Sequence, residues 1–159
     1  MRFFEDSLID QLAAKAAESP RQRAHFNVHE SASDPVQRFI VVTQRESYFR
    51  PHMHRTKSEL ALVLRGRMDL LTFDETGRVL ARHALGEGTG QFAYEATQGT
   101  WHTLIPVVAP LAFLEVKQGP YDAATASDFA PWAPAEGDAS VIHFQQWLRT
   151  ARVGSLYSD

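Results

Sequence analysis

Seven histidines are spread over 159 residues, and two of them, His52 and His54, stand one residue apart in the stretch RPHMHRTKSELALVLRG (50–66). Side chains alternate between the faces of a strand, so a strand here sets both imidazoles side by side. Glu59 follows at the head of ELALVL. If 52–54 and 59–64 are antiparallel neighbours, its carboxylate can converge on the two rings. A fourth donor must come from a distance, and GTWH offers His102 after a glycine turn. A His-x-His alone is commonly two surface histidines. Glu59, Gly66 and the later Gly-x-x-His add constraints that favour a metal site. Three imidazoles and one carboxylate form a borderline donor set suited to one divalent transition ion: Fe, Mn, Ni, Zn or Cu.

The rest of the composition narrows the chemistry. Cysteine is absent, which removes disulfides, thiol nucleophiles and thiolate-bound zinc together. The net charge of −3 gives no electrostatic footprint for nucleic acid. No apolar run approaches the roughly 20 residues of a membrane span. Glu5, Asp6 and Asp10 interrupt the opening MRFFEDSLIDQ, which is not the pattern of a secretory leader, and a cytoplasmic location is expected.

The elements that must position the four donors read as follows. Leu8, Ile9, Leu12 and Ala16 recur on one face, predicting a helix over 5–18 that Ser19-Pro20 ends. From Arg21 the rhythm becomes that of strands: RAHFNVHE, PVQRFIVVTQ, ELALVLRGRMDLLTF, VLARHAL, QFAYEA, TWHTLIP and LAFLEVK. DETG (74–77) is a hairpin turn signal. Short strands without intervening helices predict an all-β antiparallel sandwich or barrel. GEGTG (86–90) lacks the lysine and helix of a phosphate loop and reads as a flexible connection. After residue 118 the chain turns rich in Pro, Ala and Asp, predicting an irregular wrap, then a final helix capped by Asp138 or Ser140. The expected organisation is an N-terminal helix (1–20), a barrel (21–118) and a C-terminal wrap with helix (119–159).

The 50–66 stretch resembles the first cupin motif, G-x5-H-x-H-x3/4-E-x6-G. His52, His54, Glu59 and Gly66 match it, while Glu46 stands at the leading glycine. The second motif, G-x5-P-x-G-x2-H-x3-N, is partly kept. Gly99 and His102 match; Thr97 replaces the proline and Pro106 the asparagine. RQRAHFNVHES, DPVQRF, RPHMH, KSEL, LRGRMDLLTFDETGRV, GTWHTLIP, LEVKQGPYD and DFAPWAPAEGD together resemble the WbuC family of cupin-fold metalloproteins, over about residues 20–138. The resemblance implies a single-domain cupin, a jelly-roll or double-stranded β-helix barrel. It also implies a setting in surface-polysaccharide (O-antigen) biosynthesis, with no assigned reaction.

In such a barrel alternate residues face inward. His25, Asn27 and His29 share one face of their strand, and Glu115 and Lys117 share one face of theirs, so both sets are candidate substrate-binding residues. Arg38, Tyr121 and Trp132 are further candidates, each with a structural alternative. If Glu59 faces inward, Leu60, Leu62 and Leu64 face out and need cover from the helix, the tail or another subunit, so a homodimer is expected. The expected function is metal-dependent action on a small polar molecule such as a sugar or nucleotide sugar, by an isomerase or epimerase or by an Fe(II) dioxygenase. The other reading is a non-catalytic module that binds a metabolite or metal.

Overall fold

A computed structural model of the protein describes residues 1–158. Among these, helix α1 (Asp6–Glu18) precedes strands β1 (Arg23–Asn27), β2 (Val36–Thr43), β3 (His52–Met53), β4 (Glu59–Phe73), β5 (Val79–Gly86), β6 (Ala93–Ala96), β7 (Trp101–Gln118) and β8 (Asp128–Phe129), and helix α2 (Val141–Thr150) follows. All strand pairings are antiparallel, in the order β1-β2-β7-β3-β8, with β4 joining β5, β6 and β7. This is a single-domain cupin β-barrel. No helix among the described residues is long and apolar enough to cross a membrane.

Two long strands, β4 and β7, carry the architecture. They pair from Glu59↔Lys117 at one end to Phe73↔Trp101 at the other. TWHTLIP and LAFLEVK, expected as separate strands, are one strand that continues through Pro106 and Pro110. Register shifts between Val63 and Met68 take up the mismatch, and such bulges bend a strand and raise its twist. Gly66 sits at this bend with φ of 80°; a Cβ there would lie 2.4 Å from the Val108 carbonyl oxygen. The motif glycine is therefore required by the backbone.

Period two then sorts side chains between three cores. Ala61, Met68, Leu70, Leu85, Leu104, Leu111 and Phe113 fill the barrel. Met68, Leu111 and Phe113 are fully buried, each contributing roughly 2 kcal/mol by leaving water. Outside the barrel, α1 lays Ile9 and Leu12 on Ile40, Val42 and Ala112. On the opposite side, α2 and the tail pack Phe144 and Leu148 on Leu71, Phe73 and Ile105. Arg82 fastens α2 by donating to the carbonyls of Leu148, Arg149 and Ala151 while pairing with Asp69 at 2.6 Å.

Several local expectations change in detail. Strand β3 pairs with β7 and β8, not with β4, because β7 lies between them. The wrap contributes β8 to the sheet, inside the segment expected to be irregular. Ser140 is the N-cap position of α2 but makes no side-chain cap; its hydroxyl and N–H both donate to Asp138 Oδ1. The GEGTG segment is tied down, with Glu87 Oε1 accepting from the Gly66 N–H at 3.0 Å. Leu60 and Leu64 remain 45% and 44% exposed, since α1 covers β1 and β2 instead.

Candidate metal centre

His52 faces His102 directly across the β3–β7 ladder. His54 follows two residues on, and Glu59 comes from the start of β4 on the other side of β7. One donor atom from each of His52, His54, Glu59 and His102 lies within 4.8 Å of all the others. His54, Glu59 and His102 are buried and His52 is half-buried.

The hydrogen bonds around this cluster fix the tautomer of each ring. His52 Nδ1 lies 3.0 Å from the Arg50 carbonyl, His54 Nδ1 2.7 Å from that of Ala126, and His102 Nδ1 2.9 Å from that of Thr100. A carbonyl oxygen only accepts, so each Nδ1 carries the proton and each neutral ring presents a bare Nε2 to the centre. His54 Nε2 then stands 3.0 Å from Glu59 Oε2, two acceptors face to face. His102 Nε2 is buried without a hydrogen-bond partner, and Glu59 Oε1, at 3.7 Å, is beyond hydrogen-bond reach. Converging lone pairs need a shared cation or proton to be stable in a dry site. The donor set fits a divalent ion, and metal-binding histidines commonly hold their second nitrogen in this way.

Burial at His52 and nearby charges at Glu59 favour the ligating forms of those two groups. At His102 burial pushes the imidazole down, but Glu59 outweighs it and raises it, so that a proton competes with an ion for that ring. Burial, then the neighbouring His102, pushes the His52 imidazole down to about 3. Burial pushes the Glu59 carboxyl up, but His102, His54 and Lys117 outweigh it and hold it well below the usual range. The Tyr94 hydroxyl donates to Glu59 Oε1 at 3.0 Å, and burial raises that phenol well above its ordinary value. Beside the donors, Lys117 Nζ contacts Glu115 Oε1 at 2.6 Å and Glu59 Oε2 at 3.6 Å. Burial and then Glu59 raise the Glu115 carboxyl. Burial opposes the Lys117 charge, but Glu115 and Glu59 overcome it and raise its pKa. The cavity over the cluster measures about 250 Å³ and is also lined by Arg21, Arg23, Arg50, Phe129 and Glu136.

Residues 4–85, more than half of the chain, match the family described as "Domain of unknown function (DUF6016)". The chain belongs to that family. No curated protein matches this DUF6016 chain in sequence. Solved structures similar to it are cupins or share their fold. KdgF from Halomonas sp. has 15% identity and a TM-score of 0.51, covering 67% of this chain and 86% of its own. The DMSP lyase DddQ from Ruegeria pomeroyi DSS-3 has 19% identity and a TM-score of 0.53, covering 72% of this chain and 54% of its own. A cupin 2 domain-containing protein from Halorhodospira halophila has 15% identity and a TM-score of 0.50, covering 84% and 85%. At these identities the likeness is one of fold.

The DUF6016 chain places the remaining sequence candidates unevenly. Glu115 and Lys117 line the cavity. His25 lines an adjoining space with Arg21, Arg23 and Lys117. It is exposed because β1 is an edge strand. Asn27 lies on the same face, further out and exposed. His29 is buried in a structural role: its Nδ1 accepts from the Arg38 N–H at 3.0 Å and its ring meets Phe39 edge-on. Arg38 faces the other side of the sheet, toward α1, since its neighbour Phe39 pairs with Glu115. Tyr121 is half exposed beyond the end of β7. Trp132 packs against Phe73 and Phe144, outside the barrel. Sequence reasoning missed Tyr94, Arg50, Arg21, Arg23 and Glu136. A signal existed for Arg23, which shares the period-two face of His25; Tyr94 required the β4–β6 pairing Ala61↔Tyr94.

Proposed function

We propose that this chain is a divalent-metal enzyme of the cupin fold, with His52, His54, Glu59 and His102 as ligands, acting on a small polar metabolite. One observation carries the reading: three histidines each direct Nδ1–H to a backbone carbonyl, so that three Nε2 lone pairs and a carboxylate meet in a buried cluster. A bound divalent ion supplies Lewis acidity toward a carbonyl or hydroxyl oxygen of the metabolite. The chain's own residues do the rest. Tyr94 holds Glu59 in place. Glu115, whose carboxylate pairs with Lys117 at 2.6 Å on the cavity wall, accepts and returns the proton that moves, and Lys117 stabilises the carboxylate between those steps. This buried acid–base pair favours catalysis over a passive binding module.

The resemblance to the WbuC family supports a sugar or nucleotide sugar of surface-polysaccharide metabolism as the substrate class, and proton transfer suits an isomerase or epimerase. The ion is Fe, Mn, Ni or Zn by the chemistry of the donor set. The open Leu60 and Leu64 face supports a homodimer, with residues 1–20, 21–118 and 119–159 as helix, barrel and wrap of one domain. The test is incubation of metal-loaded protein with sugar phosphates and nucleotide sugars in deuterated water. Deuterium should enter a carbon position with wild type and not with Glu115→Gln, at equal metal content. Equal incorporation by both proteins, or none by wild type, would remove the proposed acid–base role.

A further inference from the structure

We propose that the ligand of this cavity is anionic, and that Arg21 and Arg23 receive its carboxylate or phosphate group where the chain's own Glu136 carboxylate now sits. The inference deepens the reading of the cavity as a small-molecule site and rests on it.

Four cationic side chains line the cavity, Arg21, Arg23, Arg50 and Lys117, against three carboxylates, Glu59, Glu115 and Glu136. Glu59 faces the imidazole cluster and Glu115 is matched to Lys117 at 2.6 Å. Three guanidinium groups remain with Glu136 alone.

Arg23 is built in rather than free. Its Nη1 donates to the Tyr48 carbonyl at 2.6 Å, its guanidinium lies over the Phe49 ring at 4.6 Å, and its side chain is 16% exposed. The remaining Nη2 donates to Glu136. Arg21 grips the same carboxylate through two bonds of 2.7 and 2.8 Å. Such a fork suits any planar or tetrahedral oxyanion. Arg50 is oriented on the wall by the Ala130 and Ala133 carbonyls.

Glu136 is the replaceable partner. It comes from the wrap, in a turn closed by the Asp138 N–H to the Ala135 carbonyl, and its side chain is 35% exposed. An incoming anion competes with it for prearranged donors at the mouth of the cavity.

Were Glu136 a staple for the wrap and nothing more, its substitution would leave phosphate binding unchanged or weaken it. The experiment titrates inorganic phosphate, acetate and glucose into the full chain, followed at the arginine Nε–H resonances, with metal content measured on every sample. Phosphate and acetate should bind and glucose should not. Glu136→Gln should tighten phosphate binding about tenfold, the scale of one charge-assisted hydrogen bond. Arg21→Ala, at an exposed position, should weaken it by a similar factor. Glucose binding equal to phosphate, or unchanged or weaker phosphate binding in folded Glu136→Gln, would overturn the proposal. Phosphate binding at these resonances supports the proposal whether or not metal is present, and the metal content of the same samples tests the metal reading separately.

Discussion

His52 and His102 occupy directly opposed positions in the β3–β7 ladder, with ring centroids 4.5 Å apart. Residues so opposed share one face of a sheet. A single register relationship therefore joins the His-x-His segment to the distant Gly-x-x-His segment, and the long β7 strand carries Glu115 and Lys117 to the same cavity.

Tyr94 should matter through Glu59. Tyr94→Phe removes the hydroxyl that donates to Glu59 Oε1 and leaves the ring's packing. Metal affinity is expected to fall about tenfold, with circular dichroism unchanged. Competition against a chelator measures it; an unchanged affinity would mean that Glu59 needs no such support.

Gly66 should be intolerant of a side chain. Its positive φ and the 2.4 Å approach to the Val108 carbonyl predict that Gly66→Ala destabilises the fold by at least about 2 kcal/mol. Urea unfolding checks this. A loss within experimental error would show that the β4 bend relaxes freely.

Arg82 should hold α2 on the barrel. Arg82→Ala leaves three helix-end carbonyls and Asp69 without their shared cation. Burial around Phe144 and Leu148 should then weaken, with a loss of roughly 2–3 kcal/mol. The readout is urea unfolding followed by tryptophan fluorescence, since Trp147 lies on that helix.

Glu136 should make stability depend on pH. Burial pushes its carboxyl up, but bonds from Arg21 and Arg23 outweigh it and hold the folded value below the ordinary 4.5. A depressed folded value means that the stabilisation is complete above about pH 4.5 and is lost as pH falls through the folded value. Wild type should exceed Glu136→Gln in urea midpoint at pH 7, and the gap should close in acid. A gap that persists undiminished at pH 3 contradicts this sign.

The four clustered donors were legible because strand geometry makes a one-residue gap a same-face pair, and because Gly66 marks a bend that only glycine fits. Relative facing was legible too: period two put His25 and Asn27 on one face of β1, without fixing which way that face points. Their exposure was not, because it depends on β1 being the sheet edge. Arg38 shows the converse, since only the register Phe39↔Glu115 reveals that it points away from the cavity. The wrap was the least legible part. Its Ala126 carbonyl orients His54 and its Glu136 meets Arg21 and Arg23, and contacts so far apart in sequence leave no local pattern.

Whether His52, His54, Glu59 and His102 hold an ion is decided by the metal content of the purified protein. Wild type prepared without chelators should carry about one divalent ion per chain. His52→Ala/His54→Ala, still folded by circular dichroism because the barrel core is apolar, should carry almost none. Equal metal content in the two folded proteins would contradict the assignment of the centre to these residues.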